Sequence, residues 1–172
     1  MTTALTGTPG VGKTTAADEL RNEGYRVLDL NKFIHENGLR GNRDEDRDTY
    51  EVDIERLKLI YEKDAPPHDI VEGHLSHRLD ISRIIVLRCR PDKLKERMAS
   101  KDWPEKKKRE NLEAETMDVI LIESLQQGEH IYEIDTTNKE PEEVKESIIE
   151  ILEGNTEKYL PGGVDWTKYI DS

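Results

Sequence analysis

The stretch TGTPGVGKTT, Thr6 to Thr15, restricts this chain more than any other. It follows TTALTG, which reads as a short buried strand, and it runs into KTTAADELRNEG, which reads as a helix stopped at Gly24. Gly7, Gly12, Lys13 and Thr14 sit at the spacing G-x-x-x-x-G-K-[ST]. Glycines let the backbone curl until successive N–H groups face one anion. The helix that follows points the positive end of its dipole at the same place. Gly10, Val11, Gly12, Lys13, Thr14 and Thr15 are therefore the expected cradle for the phosphates of ATP or GTP. Lys13 supplies a mobile charge to the outer phosphates, and the Thr14 hydroxyl is a ligand for the Mg²⁺ that travels with ATP. A strand, a glycine loop and a helix in this order belong to an α/β fold with a parallel sheet.

The remaining pattern fits such a sheet. YRVLDL reads as the second strand, HDIVEGH and RIIVLRC as two buried strands, and HIYEID as the last. Tyr50, Ile54, Leu57 and Tyr61 predict a helix over 49–63, closed by Pro66 and Pro67. Pro91 opens a helix to residue 100, and a long helix is expected over 110–127, ended by Gly128. Pro141 opens a final helix with Val144, Ile148, Ile151 and Leu152 on one face. The reading is one P-loop domain over 1–172, a five-stranded parallel sheet flanked by helices, with an irregular tail over 154–172 lying on the surface. The polar insert after strand two and the basic insert KDWPEKKKR before the long helix suggest a small-molecule kinase. A flap over 28–51 would then cover the acceptor, and a short lid over 100–110 would cover the donor.

Composition narrows the alternatives. Among 172 residues, 37% are charged and the net charge is -12. Such a surface argues against broad nucleic-acid binding, which needs cations to displace counterions, but it does not exclude a basic protein partner. No apolar run is long enough to span a membrane, and no basic start leads into an apolar stretch, so a cytoplasmic protein is expected. The single cysteine, Cys89, excludes an internal disulfide and a cysteine zinc cluster and reads as a small core residue. Asn31-Lys32 continues as Phe33-Ile34, so the base-reading N-K-x-D segment of GTPases is missing there.

GTPGVGKTT, VEGH at 71–74 and DWPEKKKRENLEAE at 102–115 together resemble the adenylate kinase isoenzyme 6 family, over roughly residues 3–153. The strand end in G-H and the pattern W-x-E-K-K-x-x-E-N are the discriminating parts. The resemblance implies an adenylate-kinase-like fold, conversion of ATP and AMP to two ADP, ATP hydrolysis and dependence on Mg²⁺. The family's nuclear members are described as coilin-interacting ATPases and as small-subunit ribosome assembly factors, which implies a ribosomal protein partner. The short form resembles archaeal members. Gly10, Gly12, Lys13, Thr14 and Thr15 match the family's phosphate-binding positions. Glu72 and His74 match an acid, ordinarily Asp, and a histidine after strand three. Lys101 falls where the family often carries a lid arginine, and Lys106, Lys107, Asn111 and Glu115 match the lid and its exit helix. The tail YLPGGVDWTKYI departs from the Trp-bearing C-terminal helix of some members.

His74, at the carboxyl end of a strand, faces the crevice where α/β folds bind ligands. A near-neutral imidazole there could position or deprotonate an attacking water, or simply satisfy a loop hydrogen bond. His74 and His77 are three apart, but no third ligand stands nearby to make a metal site. Arg78, Arg88 and Arg97 are candidate phosphate clamps or partners of helix carboxylates, with Arg97 favoured as catalytic beside Lys13, Glu72 and His74. Lys101 and Lys107, within the one dense basic patch, either close over ATP or form a solvated helix start. Thr137 to Lys139 are weaker candidates for touching the base. Two functions fit: a kinase transferring the γ-phosphoryl group of ATP to AMP with accompanying ATPase activity, or an ATP-switched assembly factor whose hydrolysis and lid closure remodel a ribosomal protein.

Overall fold

The computed structural model describes residues 1–170. Its main sheet contains β1 (Thr3–Gly7), β2 (Val27–Asp29), β5 (Ile70–Glu72), β6 (Arg83–Arg88) and β7 (His130–Asp135), in the order β2-β5-β1-β6-β7 with every pairing parallel. The helices are α1 (Lys13–Asn22), α2 (Leu30–Glu36), α3 (Ile54–Asp64), α4 (Pro91–Ala99), α5 (Glu105–Thr116), α6 (Val119–Gln127) and α7 (Pro141–Leu152). A separate antiparallel hairpin joins β3 (Arg40–Asp44) to β4 (Thr49–Val52).

Side chains alternate across a strand, so a central strand must feed two cores. In β1, Leu5 enters one core and Ala4 the other. In β6, Ile85 and Leu87 face Leu20, Leu94 and Ile148, while Ile84 and Val86 face Leu57, Leu79 and Leu121. This explains why the apolar runs are short and uninterrupted. All five strands run parallel, so their carboxyl ends gather Gly7, Asp29, Glu72, Arg88 and Asp135 at one edge. The order changes direction at β1, which is where such sheets open a ligand crevice.

Several elements differ from the sequence reading. The second strand ends at Asp29, whose carboxylate accepts the Lys32 N–H at 3.1 Å and caps α2, a helix that runs into the stretch read as a polar insert. Tyr50 lies in β4 rather than on a helix; α3 starts only after Asp53, which caps it through the Arg56 N–H. The hairpin escapes an apolar pattern because its side chains are mostly exposed. Polar contacts hold it instead: at the turn Asp44 accepts the N–H groups of Asp46 and Arg47, and across the strands the Arg40 guanidinium lies 4.6 Å from the Tyr50 ring centroid.

The expected helix over 110–127 is two helices. α5 begins earlier, at Glu105, and the chain breaks at Asp118, which adopts the left-handed conformation at φ 57°. Asp118 ion-pairs with Arg88, and that contact lies outside any local propensity. The tail is less peripheral than expected. It carries two short 3-10 turns, and Tyr159 and Trp166 are buried; residues 171–172 lie outside the described residues.

Arg88 itself is 1% exposed at the end of β6. Its Nε donates to Glu115 at 2.9 Å and its Nη1 to Glu133 at 2.8 Å, with Asp118 on Nη2. Replacing Arg88 by Met strands two buried carboxylates without a counter-charge. The expected loss is about 3–5 kcal/mol of unfolding free energy, read from urea denaturation; a loss under about 1 kcal/mol would show that the network is dispensable for stability.

Candidate active site

The loop between β1 and α1 forms because its glycines occupy backbone that other residues avoid. Gly7, Gly10 and Gly12 have φ of 149°, 100° and 109°. A Cβ on Gly7 would lie 2.7 Å from the Leu87 carbonyl oxygen, so the loop is seated against β6 too closely for any side chain. The loop borders a cavity of about 850 Å³ at the carboxyl edge of the sheet. Gly10 to Thr15 line one wall, Glu72 and His74 a second, and Arg97, Lys101 and Trp103 a third. Residues 136–141, between β7 and α7, close the far end. The phosphate-loop candidates, Glu72, His74, Arg97 and Lys101 thus meet in one place; Arg78 and Arg88 do not line it, and Lys107 is not in the lining either, its Nζ 4.5 Å from the Trp103 ring centroid.

Lys13 folds back over its own loop. Its Nζ donates to the Gly7 carbonyl at 2.7 Å and the Thr8 carbonyl at 3.1 Å. Burial pushes its pKa down to about 8, against the opposing pull of Glu72 and Glu115. Glu72 ends β5 and is buried, and that burial raises its carboxyl above the usual range while Lys13 holds it back. Thr14 and Thr15 stand exposed on the first turn of α1.

His74 is half-buried in the cavity wall. Burial first, and the Lys13 charge second, lower its pKa to about 4. Its imidazole is therefore neutral at physiological pH, able to accept a hydrogen bond but a weak base, which corrects the expectation of a near-neutral pKa. His77 is not a companion ligand. It is buried on the far side of the strand end, with Nδ1 2.8 Å from the Thr6 hydroxyl and Nε2 2.7 Å from Glu123. Among the described residues no group of three or more His, Cys, Asp or Glu side chains could hold a metal ion.

The arginines divide sharply. Arg88 is consumed by its buried carboxylates and cannot clamp a ligand phosphate. Arg78 lies 3.9 Å from Glu123, away from the cavity lining. Arg97 reaches the cavity, yet its guanidinium is committed to the loop: Nη1 donates to the Val11 carbonyl at 3.1 Å and Nη2 to the Thr136 carbonyl at 2.9 Å. It braces the phosphate loop against the segment after β7. Thr136, which precedes the candidates Thr137 to Lys139, joins this brace through its hydroxyl, 3.0 Å from the Val11 carbonyl oxygen. Thr137 is buried and accepts the Arg90 N–H at 2.9 Å, leaving Asn138 and Lys139 nearer the opening. Cys89 is a buried core residue, and burial raises its thiol pKa to about 11. Thr136 and Trp103 went unassigned in sequence because a strand end and a Pro-flanked aromatic acquire a role only through what folds beside them.

A parallel sheet, a glycine loop on a helix N-terminus and a cationic cleft define a P-loop phosphotransferase. The family model described as an AAA domain matches residues 4–118. Over 99% of its length the chain is 42% identical to a protein of Archaeoglobus fulgidus and 44% identical to one of Methanocaldococcus jannaschii, covering 94% and 96% of those chains. A relative from Natronomonas pharaonis is 41% identical and is covered over 100% of its length; all three bear the name "Putative adenylate kinase". The crystal structure of shikimate kinase from Bacteroides thetaiotaomicron superposes with a TM-score of 0.52 at 16% identity, covering 89% of this chain and 98% of that one, and shares the fold. The chain belongs to the AAA domain family and to the family of these archaeal relatives.

The buried ammonium makes a pH test available. Lys13 carries charge below its pKa of about 8 and loses it above. Turnover per unit of ATP affinity, kcat/KM, should therefore fall as pH rises through about 8, since that ratio reports the free enzyme. In Lys13→Arg the guanidinium stays charged, so whatever activity survives should lack this descending limb. The same limb in both proteins would assign the titration to another group.

Proposed function

We propose that this protein is a nucleoside monophosphate kinase that transfers the γ-phosphoryl group of ATP to AMP. The observation that carries the reading is Lys13, buried in a glycine cradle and facing Glu72 and His74 across one cavity. The names borne by the archaeal relatives favour AMP as acceptor. In the reaction, the bond from the β–γ bridging oxygen to the γ-phosphorus breaks. A phosphate oxygen of AMP forms the new bond, and two ADP result. Both reacting oxygens are anionic or nearly so at neutral pH, so positioning and charge stabilisation are the protein's task rather than proton transfer.

Mg²⁺ fits the donors present. Thr14 offers an exposed hydroxyl and Glu72 a carboxylate, both hard oxygen ligands lining the cavity. Too few protein ligands gather for a closed metal cage, so the ion would be shared with the nucleotide phosphates, whose charge it neutralises. Glu72 would hold it directly or through water. Lys13, Lys101 and Lys107 supply the remaining positive charge. The segment 28–51 serves as the acceptor flap and 100–110 as the lid. Support for their cooperation comes from Arg47 in the hairpin turn, whose Nε and Nη2 donate to Glu110 of α5 at 2.6 and 3.0 Å.

The second reading, an ATPase of the adenylate kinase isoenzyme 6 type acting as an assembly switch on a ribosomal protein, draws on His74. A neutral imidazole beside Lys13 can accept a hydrogen bond from water and orient it toward phosphorus. The two readings separate in one assay that follows ATP, ADP and inorganic phosphate with and without AMP. Two ADP per AMP consumed, without free phosphate, is the expected result. Lys13→Ala should lower that rate at least about 10²-fold in a folded protein. Free phosphate released at a rate indifferent to AMP would replace the kinase reading with the ATPase.

His74→Gly is expected to depress ATP hydrolysis more than AMP phosphorylation, because only hydrolysis must hold a water. Equal losses, measured on one preparation with nucleotide affinity unchanged, would give His74 a task common to both reactions.

A further inference from the structure

Behind the cavity, three side chains form a line of hydrogen bonds. Thr6, in β1, is the residue before Gly7 of the phosphate loop. Standing two residues after Ala4, it faces the same side of the sheet, where Leu79 and Leu121 pack. Its hydroxyl lies 2.8 Å from Nδ1 of His77, whose Nε2 lies 2.7 Å from the carboxylate of Glu123 in α6. Thr6 and His77 are both buried.

Counting protons orients this line. Burial holds the pKa of His77 below the ordinary histidine range, against the pull of Glu123, so the ring is neutral and carries one N–H. A carboxylate only accepts, so that N–H stands at Nε2 and points to Glu123. The Arg78 guanidinium, 3.9 Å from the same carboxylate oxygen, adds a counter-charge. Nδ1 is left with a lone pair and accepts the Thr6 hydroxyl. The His74 carbonyl oxygen, 3.4 Å from that hydroxyl, is the more distant claimant on its one proton.

The bond between Thr6 and His77 ties two walls of the cavity together from behind. His77 lies in the short turn Ser76–Arg78, three residues after His74. Glu72 and His74 line one wall, and the loop that begins directly after Thr6 supplies Gly10 to Thr15 to another. The Gly73 N–H donates to the Leu5 carbonyl at 3.1 Å, so the same segment is fastened to β1 at its start as well. An apolar pair in this layer would pack without any polar group to desolvate. A satisfied polar line instead fixes one arrangement.

We propose that His77 is a positioning residue for phosphoryl transfer: anchored on Glu123, it holds the Thr6 hydroxyl and thereby sets the wall bearing Glu72 and His74 in register with the phosphate loop. This rests on the kinase reading above.

The test compares four full-length variants with the wild type by steady-state conversion of ATP and AMP to ADP, with thermal unfolding to establish that each is folded. Asparagine at position 77 sets its amide oxygen near the place of Nδ1 and still accepts from Thr6. Glutamine reaches the place of Nε2 and still donates to Glu123. His77→Gln and Thr6→Val should each lower kcat at least about tenfold, as a small misplacement at a reacting centre does, with KM for ATP changed less than about threefold. His77→Asn and Thr6→Ser should keep kcat within about threefold of the wild type. Combining Thr6→Val with His77→Gln should cost no more than the worse single change, because both remove one interaction. A merely structural tether to α6 would order the histidine variants the other way, since glutamine keeps the Glu123 bond. That order, wild-type kcat in Thr6→Val, or losses that multiply in the double variant each overturn the proposal while leaving the kinase reading intact. Should His77→Gln fail to fold, Thr6→Val against Thr6→Ser decides alone, because valine keeps the shape of threonine and lacks its hydroxyl. A wild type that makes no ADP from AMP fails the kinase reading, and the proposal falls with it.

Discussion

A single guanidinium sets the geometry of this molecule. Arg88 leaves the end of β6 with no water around it and gathers carboxylates from α5, from β7 and from the α5–α6 junction. Moving these charges out of water is costly, and a packed apolar cluster could supply equal stability. What apolar contacts do not supply is direction. Each guanidinium nitrogen fixes a different element. Glu115, having accepted Arg88, uses its remaining lone pairs on the Cys89 N–H, the Thr8 hydroxyl and the Trp166 indole N–H, the last at 3.2 Å. The phosphate loop, the exit helix of the basic segment and the C-terminal tail therefore meet on one carboxylate.

This arrangement places a rigid cradle inside an otherwise acidic protein. The chain carries a net charge of -12, yet Lys13 faces the cleft with Lys101 on its wall and Lys107 close behind. Local field rather than net charge governs what a cleft attracts, because low-dielectric walls concentrate it. Such a cradle suits a polyanionic nucleotide despite the acidic surface around it. Arg97 contributes in a quieter way. By holding the Val11 and Thr136 carbonyls together, it joins the phosphate loop to the far wall of the cavity, so both ends of a bound nucleotide would lean on one braced unit.

The hairpin has the opposite character. An isolated two-stranded ribbon is marginal in water, and its strands contribute little to either core. Its attachment through Arg47 to Asp44 and Glu110 is partly exposed, hence weak and screened by salt. Such an attachment can break and reform at small cost, as the acceptor flap proposed above would require.

Much of this was legible in the chain itself. Strand, glycine loop and helix follow from local rules, because spacing and backbone freedom at Gly7, Gly10 and Gly12 suffice to form a phosphate cradle. The buried strands announced themselves as unbroken apolar runs, because a two-sided sheet leaves no polar face to alternate. Glu72 and His74 could be placed at the cleft for the same reason, since strand ends point there. Tertiary structure alone decided the rest. Arg88 and Arg97 look alike in sequence, yet one is spent in the core and the other on loop carbonyls, because their partners lie 27 to 86 residues away. The break at Asp118 and the burial of Trp166 likewise depend on that remote charge network. The low pKa of His74 depends on how deeply the folded walls enclose it and on Lys13 across the cleft, a distance no spacing in the sequence encodes.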